Sequence, residues 1–265
     1  MLAKKIFEIK TTQGLLLILL FLFTFLAYSN SFTNGFVWVD RSQIVQKGMI
    51  MENPGDLARV FTSNLASFKQ VSKSGGYYRP MVNLSFTLDH LVWGLNPVGF
   101  HISSFLLHLL VVYLIYILIL MIFQEKRLAF VAALIFAIHP IHTSAVSWIS
   151  GRADLLAAFF LLLSFVFYIK NEKAKKLSTY IFALLFFFGS LLSKEIGIVL
   201  PLVLLVYGLQ IGEKLNLKKI IPFFLVGFVY LIIRKAMLGN IGAGEALFLG
   251  DPFSAILTTF HSHAA

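Results

Sequence analysis

The sequence contains no cysteine, which removes disulfides, thiolate metal sites and cysteine nucleophiles from its chemistry. Charge is also scarce. Asp, Glu, Lys and Arg make up 13% of the 265 residues, against about a quarter in a soluble domain. No His-Glu-x-x-His pattern occurs, so an intramembrane zinc protease has no support. No helix-pair period of about 34 residues recurs, which sets a solenoid aside. What fills the chain is apolar: 58% hydrophobic residues, 28 of them Phe. They come in long runs rather than at one-face spacing, as expected of segments that cross a bilayer. The fold class that follows is an all-α, multi-pass membrane protein.

Seven runs qualify, at residues 12–30, 101–123, 128–145, 153–169, 177–192, 196–211 and 218–233. Several lie near the lower limit of about 17 residues for a span. The fifth and sixth are parted only by Ser193-Lys194-Glu195, a spacing that predicts a tight hairpin or one re-entrant segment. Lys4, Lys5 and Lys10 ahead of the first run give it the look of a secretory signal. Ala27-Tyr28-Ser29 is a poor cleavage site, so the run reads as a retained span. The connection 31–99 is too long for a turn. Leu57, Val60, Phe61, Leu65 and Phe68 recur there at helical spacing behind a capping Asn53, and Leu84, Leu88, Leu91 and Val92 repeat the pattern. Two amphipathic helices on the membrane surface are expected, with a small soluble lobe as the alternative.

The formal net charge of +10 invites a nucleic-acid partner, but the basic residues are sorted by connection. Twelve precede or follow the runs on alternate connections: Lys4, Lys5, Lys10, Lys126, Arg127, Lys170, Lys173, Lys175, Lys176, Lys214, Lys218 and Lys219. The opposite short connections hold four: Arg152, Lys194, Arg234 and Lys235. By the positive-inside rule the N-terminus is cytoplasmic, and the charge is a topology signal with no nucleic-acid partner implied. Asp40, the "GGYYRP" loop, the stretch "HPIHTSAVSWISGRADLL" and Ser193-Lys194-Glu195 then share the extracytoplasmic side.

Each of these groups has a plain reading beside a chemical one. His139-x-x-His142 resembles half a metal site with Asp154 as third ligand, or caps the end of a span. His101 and His108, seven apart, suit interhelix hydrogen bonds. Arg152 and Asp154 either anchor a helix start or aim a cation at an anionic head group, and Lys194-Glu195 reads the same two ways. Asp40 reads either as a solvated loop carboxylate or, with Arg41 beside it to favour the ionised form, as a base able to take a proton from a hydroxyl. Asn83-Leu84-Ser85 is a glycosylation sequon.

In order, "FVWVD", "YYRPMVNLSFTLDHLVWGLNPVGFHISSFLLH", "IFAIHPIHTSAVSWISGRADLL" and "LLSKEIGIVLP" resemble the transmembrane O-mannosyltransferases that carry tetratricopeptide repeats, and their bacterial relatives. These belong to the GT-C glycosyltransferase superfamily. The resemblance implies a GT-C-like module over residues 1–265, incomplete beside full-length relatives and without their repeats. It implies a polyprenyl-phosphate (dolichyl- or undecaprenyl-phosphate) sugar donor and a protein or glycan hydroxyl acceptor. Asp40 would be the base, with the anomeric centre inverted. Lys194, Arg152 and Arg79 would meet the donor phosphate, supported by Glu195, Asp154, His139 and His142, and no metal or other cofactor is expected. The membrane would be the bacterial cytoplasmic membrane, or the endoplasmic reticulum in a eukaryote. The sequence departs from the family at Val39 and Ser144, where relatives usually carry acids. Alternatives from other classes are a non-catalytic remnant or fragment and a transporter or flippase for a lipid-linked substrate. The latter would place charges or helix breaks near mid-membrane in repeated halves.

Overall fold

The computed structural model describes residues 2–46, 61, 77–210 and 216–238, with side chains from Gly14 onward. Within them the chain folds only into helices and the turns that join them. We number the longer helices α1 (Leu2–Tyr28), α2 (Pro80–Trp93), α3 (Pro97–Phe123), α4 (Lys126–Ile138), α5 (Arg152–Ala174), α6 (Leu177–Ser193), α7 (Leu200–Gln210) and α8 (Leu217–Leu238).

All seven apolar runs are helical, but they differ in reach. Four are long and apolar enough to cross a membrane: Gly14–Thr33, Pro97–Phe123, Ile149–Ala174 and Leu217–Leu238. A fifth is α4 continued through Pro140–Val146, bent by 49° where Pro140 cannot donate the helix's next hydrogen bond. Leu177–Ser193 and Glu195–Gln210 are shorter. The two short segments meet at Lys194, whose extended backbone (φ −159°, ψ 144°) ends α6 and starts the 3-10 turn Glu195–Val199.

The bundle is held by small-residue contacts and serine bridges rather than by sequestering apolar surface from water, since lipid is as apolar as leucine. Ala129, Ala133 and Ala137 form a fully buried stripe on α4, against Leu20 of α1 and Val112 and Tyr116 of α3. α5 and α6 are the most extensively packed pair. The Ser164 hydroxyl donates to the Ala183 carbonyl (2.7 Å) and the Ser190 hydroxyl to the Ala157 carbonyl (2.9 Å), tying these two helices at both levels. Between α5, α6 and α8, Tyr168 meets Phe223 edge-on and Phe187 meets it at a tilt.

The surface helix expected around Leu84–Val92 is α2. Pro80 at its first position fixes its start, and Gly94 at φ +61° ends it. Leu88, Leu91 and Val92 face outward, whereas Val82, Asn83, Phe86 and Asp89 face the bundle. The helix therefore turns Asn83 and Asp89 inward beside Val82 and Phe86 and leaves Leu88, Leu91 and Val92 on the outside of the bundle. The companion helix expected over Leu57–Phe68 lies outside the described residues.

Candidate functional site

One end of the bundle gathers the turn after α1, both ends of α2, the starts of α3 and α5, the junction of α6 and α7, and the end of α8. Trp38 adopts a left-handed conformation (φ 49°) that is uncommon for a bulky residue. This reversal leaves the Trp38 ring outside and turns Asp40 inward, fully buried. Asp40 is held by neutral donors. The Val37 N–H donates to Oδ2 (3.1 Å), the Ser150 N–H to Oδ1 (2.9 Å), and the Ser150 hydroxyl also donates to Oδ1. Among the described residues no Lys or Arg forms an ion pair with it, Arg41 included. Ile44, one turn on, anchors this segment among Val82, Phe86, Phe100 and Ile149.

Ser150 is positioned by the "SGRADLL" start of α5. A side chain at Gly151 would drive a Cβ to 2.1 Å from the Ser144 carbonyl oxygen, so only glycine lets the two turns approach. Arg152 follows and points into the protein, 2% exposed. Its Nη1 pairs with Asp89 Oδ2 (2.5 Å), Nη2 donates to the Phe100 carbonyl (2.7 Å) and Nε to the Ser104 hydroxyl (3.1 Å). The guanidinium lies 4.8 Å from the centre of the Phe86 ring. Ser103 donates to the other Asp89 oxygen (2.7 Å). Arg152 thus clamps α2, α3 and α5 together, and the Asp40 carboxylate acts on it electrostatically. Breaking such a buried pair on one side costs about 3–5 kcal/mol.

Glu195 sits in a second, differently built cluster. Arg79 Nη2 donates to Oε2 (3.1 Å), and Arg234 of α8 pairs with Oε1. Arg234 is 2% exposed and also reaches the Tyr230 hydroxyl (3.4 Å); Arg79 stacks on the Tyr77 ring at 4.3 Å. Burial acts to raise the Glu195 carboxyl, but Arg79 and Arg234 together outweigh it and hold it below the usual carboxylate range. Because Lys194 is extended, its side chain leaves on the other face. It donates to Asp154 Oδ1 (2.5 Å), with side-chain exposures of 29% and 49%. The Arg79–Glu195–Arg234 cluster carries one net positive charge and the Lys194–Asp154 pair none.

The histidines cap and pack. His139 Nδ1 accepts from the Ile141 N–H (3.2 Å), and the Tyr28 hydroxyl donates to the His139 carbonyl (3.4 Å). His142 stacks on Phe136 at 4.0 Å and lies 5.7 Å from the ring of His108, which is bound to the Ala137 carbonyl. Among the described residues no three His, Asp or Glu side chains converge as a metal set. Asp154 pairs with Lys194 rather than with the histidines. Asn83 is 1% exposed, so the sequon is closed to a glycosylating enzyme in this fold.

Sequence reasoning missed Asp89, Arg234 and Ser150 as members of the site. Asp89 lies unmarked inside the polar positions of the α2 stretch, and Arg234 enters the sequence only as one of the basic residues that set the topology. Ser150 is small and unremarkable in sequence, and only the close turn at Gly151 brings it to Asp40.

Residues 78–238, more than half of the chain, match the model of the dolichyl-phosphate-mannose-protein mannosyltransferase family, and the chain belongs to that family. Among curated relatives, human "Protein O-mannosyl-transferase TMTC2" is 38% identical over 152 residues, covering 55% of this chain and 18% of the relative. Human "Protein O-mannosyl-transferase TMTC4" is 34% identical over 218 residues, covering 73% of this chain and 29% of the relative. Drosophila melanogaster "Protein O-mannosyl-transferase Tmtc1" is 31% identical over 175 residues, covering 66% and 20%. The chain therefore spans under a third of the length of these relatives. No solved structure matches it.

Proposed function

We propose that the chain forms the membrane-embedded transfer site of a protein O-mannosyltransferase, moving mannose from a polyprenyl-phosphate donor to a serine or threonine hydroxyl. The observation that carries this is the setting of Asp40: a buried carboxylate held by neutral donors, one of them a serine hydroxyl. Ser150 makes to Asp40 the contact that an acceptor hydroxyl would make, and exchange of one for the other aligns the acceptor proton with the carboxylate.

Asp40 takes that proton as the acceptor oxygen attacks the anomeric carbon. The bond from that carbon to the phosphate oxygen breaks, its electron pair stays on the phosphate, and the centre inverts. The departing lipid phosphate gains charge near Lys194 and Arg79, the two more accessible cations of the site. Arg152, committed to Asp89, fixes the helices against which the Asp40 segment packs and adds its field to the site. The charge is balanced by side chains of the protein, with no metal or cofactor in the step. The membrane orientation that suits this reaction has the Asp40 end extracytoplasmic and the lysine-rich end cytoplasmic.

Purified chain given radiolabelled dolichyl-phosphate mannose and a Ser/Thr peptide should release labelled peptide sensitive to mild base. A chain that stays silent with dolichyl- and undecaprenyl-linked donors alike would overturn this reading in favour of a non-catalytic remnant or fragment, in keeping with Val39 and Ser144. For orientation, single cysteines at exposed Ser144 and Gln124 should be labelled by an impermeant reagent from opposite sides, Ser144→Cys from outside. Labelling of both from one side would remove the arrangement.

A further inference from the structure

The end of the bundle opposite Asp40 carries a cavity that the transfer reaction does not use. The two ends of α5, 23 residues long, stand about 34 Å apart, so Arg152 and the residues around Lys175 belong to different membrane boundaries. At the Lys175 end a cavity of about 480 Å³ opens between α3, α5, α7 and α8. Among the described residues Lys173, Lys175 and Lys219 line it with a single carboxylate, Glu172, so this part of its wall is net positive. An adjoining cavity of about 480 Å³ shares Lys175, Lys219 and Asn216 and is bounded by Leu177 and Tyr180 of the first turn of α6.

Several features beyond the lysines point the same way. Helices α6 and α8 both begin here, at Leu177 and Leu217, and their first-turn residues line the cavities. Unpaired N–H groups at helix starts add positive potential. The site is built rather than fluid. Lys175 holds a left-handed cap at φ 50°, Asn171 Nδ2 donates to the Lys176 carbonyl (2.7 Å), and the Tyr180 hydroxyl donates to the Lys219 carbonyl (2.8 Å). The rest of the wall is mixed: Gln124 and Asn216 add polar groups, Met121, Ile122 and Ile169 add apolar surface, and Leu177, which bounds the adjoining cavity, is 72% exposed. Cations beside apolar side chains, with Leu177 exposed next to them, match an amphiphile in the bilayer, whereas a free anion would leave the apolar part unused.

We propose that this cavity binds the phosphate-bearing head group of an anionic membrane lipid, its chains running down beside Leu177 and Met121. The lipid would lock the α5–α6 turn to the start of α8 and so brace the bundle from the end opposite the transfer site.

The test is lipid retention by the full chain in phosphatidylcholine nanodiscs doped with phosphatidylglycerol, read by native mass spectrometry. The unmodified chain should retain phosphatidylglycerol over phosphatidylcholine, and retention should fall as salt rises. Each of Lys173→Gln, Lys175→Gln and Lys219→Gln should weaken retention by about fivefold, the effect of one lysine at a lipid surface. Lys126→Gln with Arg127→Gln, at the same end but outside the cavity, should leave it unchanged. Equal loss in that control, retention insensitive to salt, or a triple variant that still retains the lipid would each overturn the proposal. An excess of inorganic phosphate should not displace the lipid; complete displacement would make this a free-phosphate site and overturn the lipid assignment.

Discussion

Asp40 and Glu195 are acids at the same end of one bundle, and their surroundings are opposite. Asp40 accepts from two backbone N–H groups and a hydroxyl, all neutral. Glu195 is gripped by two guanidiniums from different elements. A carboxylate between two arginines has its charge spent: protonating it would cost both pairs, so it is a poor base and a good strut. A carboxylate among neutral donors is aligned without being neutralised, and it can still receive a proton when a substrate hydroxyl presents one. Position alone does not separate the two roles; the sign of the neighbours does.

The largest expected effect tests the strut. Arg234→Ala removes one guanidinium from a buried pair and should destabilise the chain by about 3–5 kcal/mol. Ser150→Ala removes only one hydroxyl from Asp40 and should cost about 1.5–3 kcal/mol. Thermal unfolding in detergent compares them, and equal losses would erase the distinction between the two carboxylates.

A smaller effect is expected in acid. The folded Glu195 carboxyl is depressed below its ordinary value. Its contribution is therefore complete above the unfolded carboxylate pKa and is lost as pH falls through the lower folded value. Glu195→Gln should flatten that acid limb of the stability–pH curve. An unchanged limb would mean that the two arginines do not act on Glu195 as the geometry says.

The smallest effect on stability belongs to Lys194. Its pair with Asp154 is partly exposed, so Lys194→Gln should change stability by less than about 1 kcal/mol. Turnover should nevertheless fall by about 10²-fold if Lys194 meets the departing phosphate, as for other preorganised donors, with donor binding little altered. Loss of stability without loss of turnover would return Lys194 to an anchoring role.

Much of this architecture is legible in the sequence because lipid imposes simple rules. The apolar runs are helices, the Leu84–Val92 stripe marks α2, and the polar break at Lys194-Glu195 is where α6 ends. The number of spans is less legible, because length separates a full crossing from a shorter segment and Leu177–Ser193 and Glu195–Gln210 lie at that margin. The partners of the charges are not legible at all. Arg152 and Arg79 show no partner in the sequence, because nothing in a periodicity says that α2 lies against α5, or that α8 ends beside the α6–α7 junction. Only those adjacencies turn Asp89 and Arg234 inward, and they leave Asp40 without a cationic partner among the described residues.

The most direct measurement is mannose transfer by Asp40→Asn and Glu195→Gln, assayed side by side with donor binding and thermal stability. Asparagine still accepts hydrogen bonds but takes no proton near neutral pH. Asp40→Asn should therefore keep its fold and donor while losing transfer by about 10²-fold or more. Glu195→Gln should lose stability first and keep transfer in the molecules that remain folded. Transfer at the parental rate by Asp40→Asn, with a folded but inactive Glu195→Gln, would contradict the assignment of the base to Asp40.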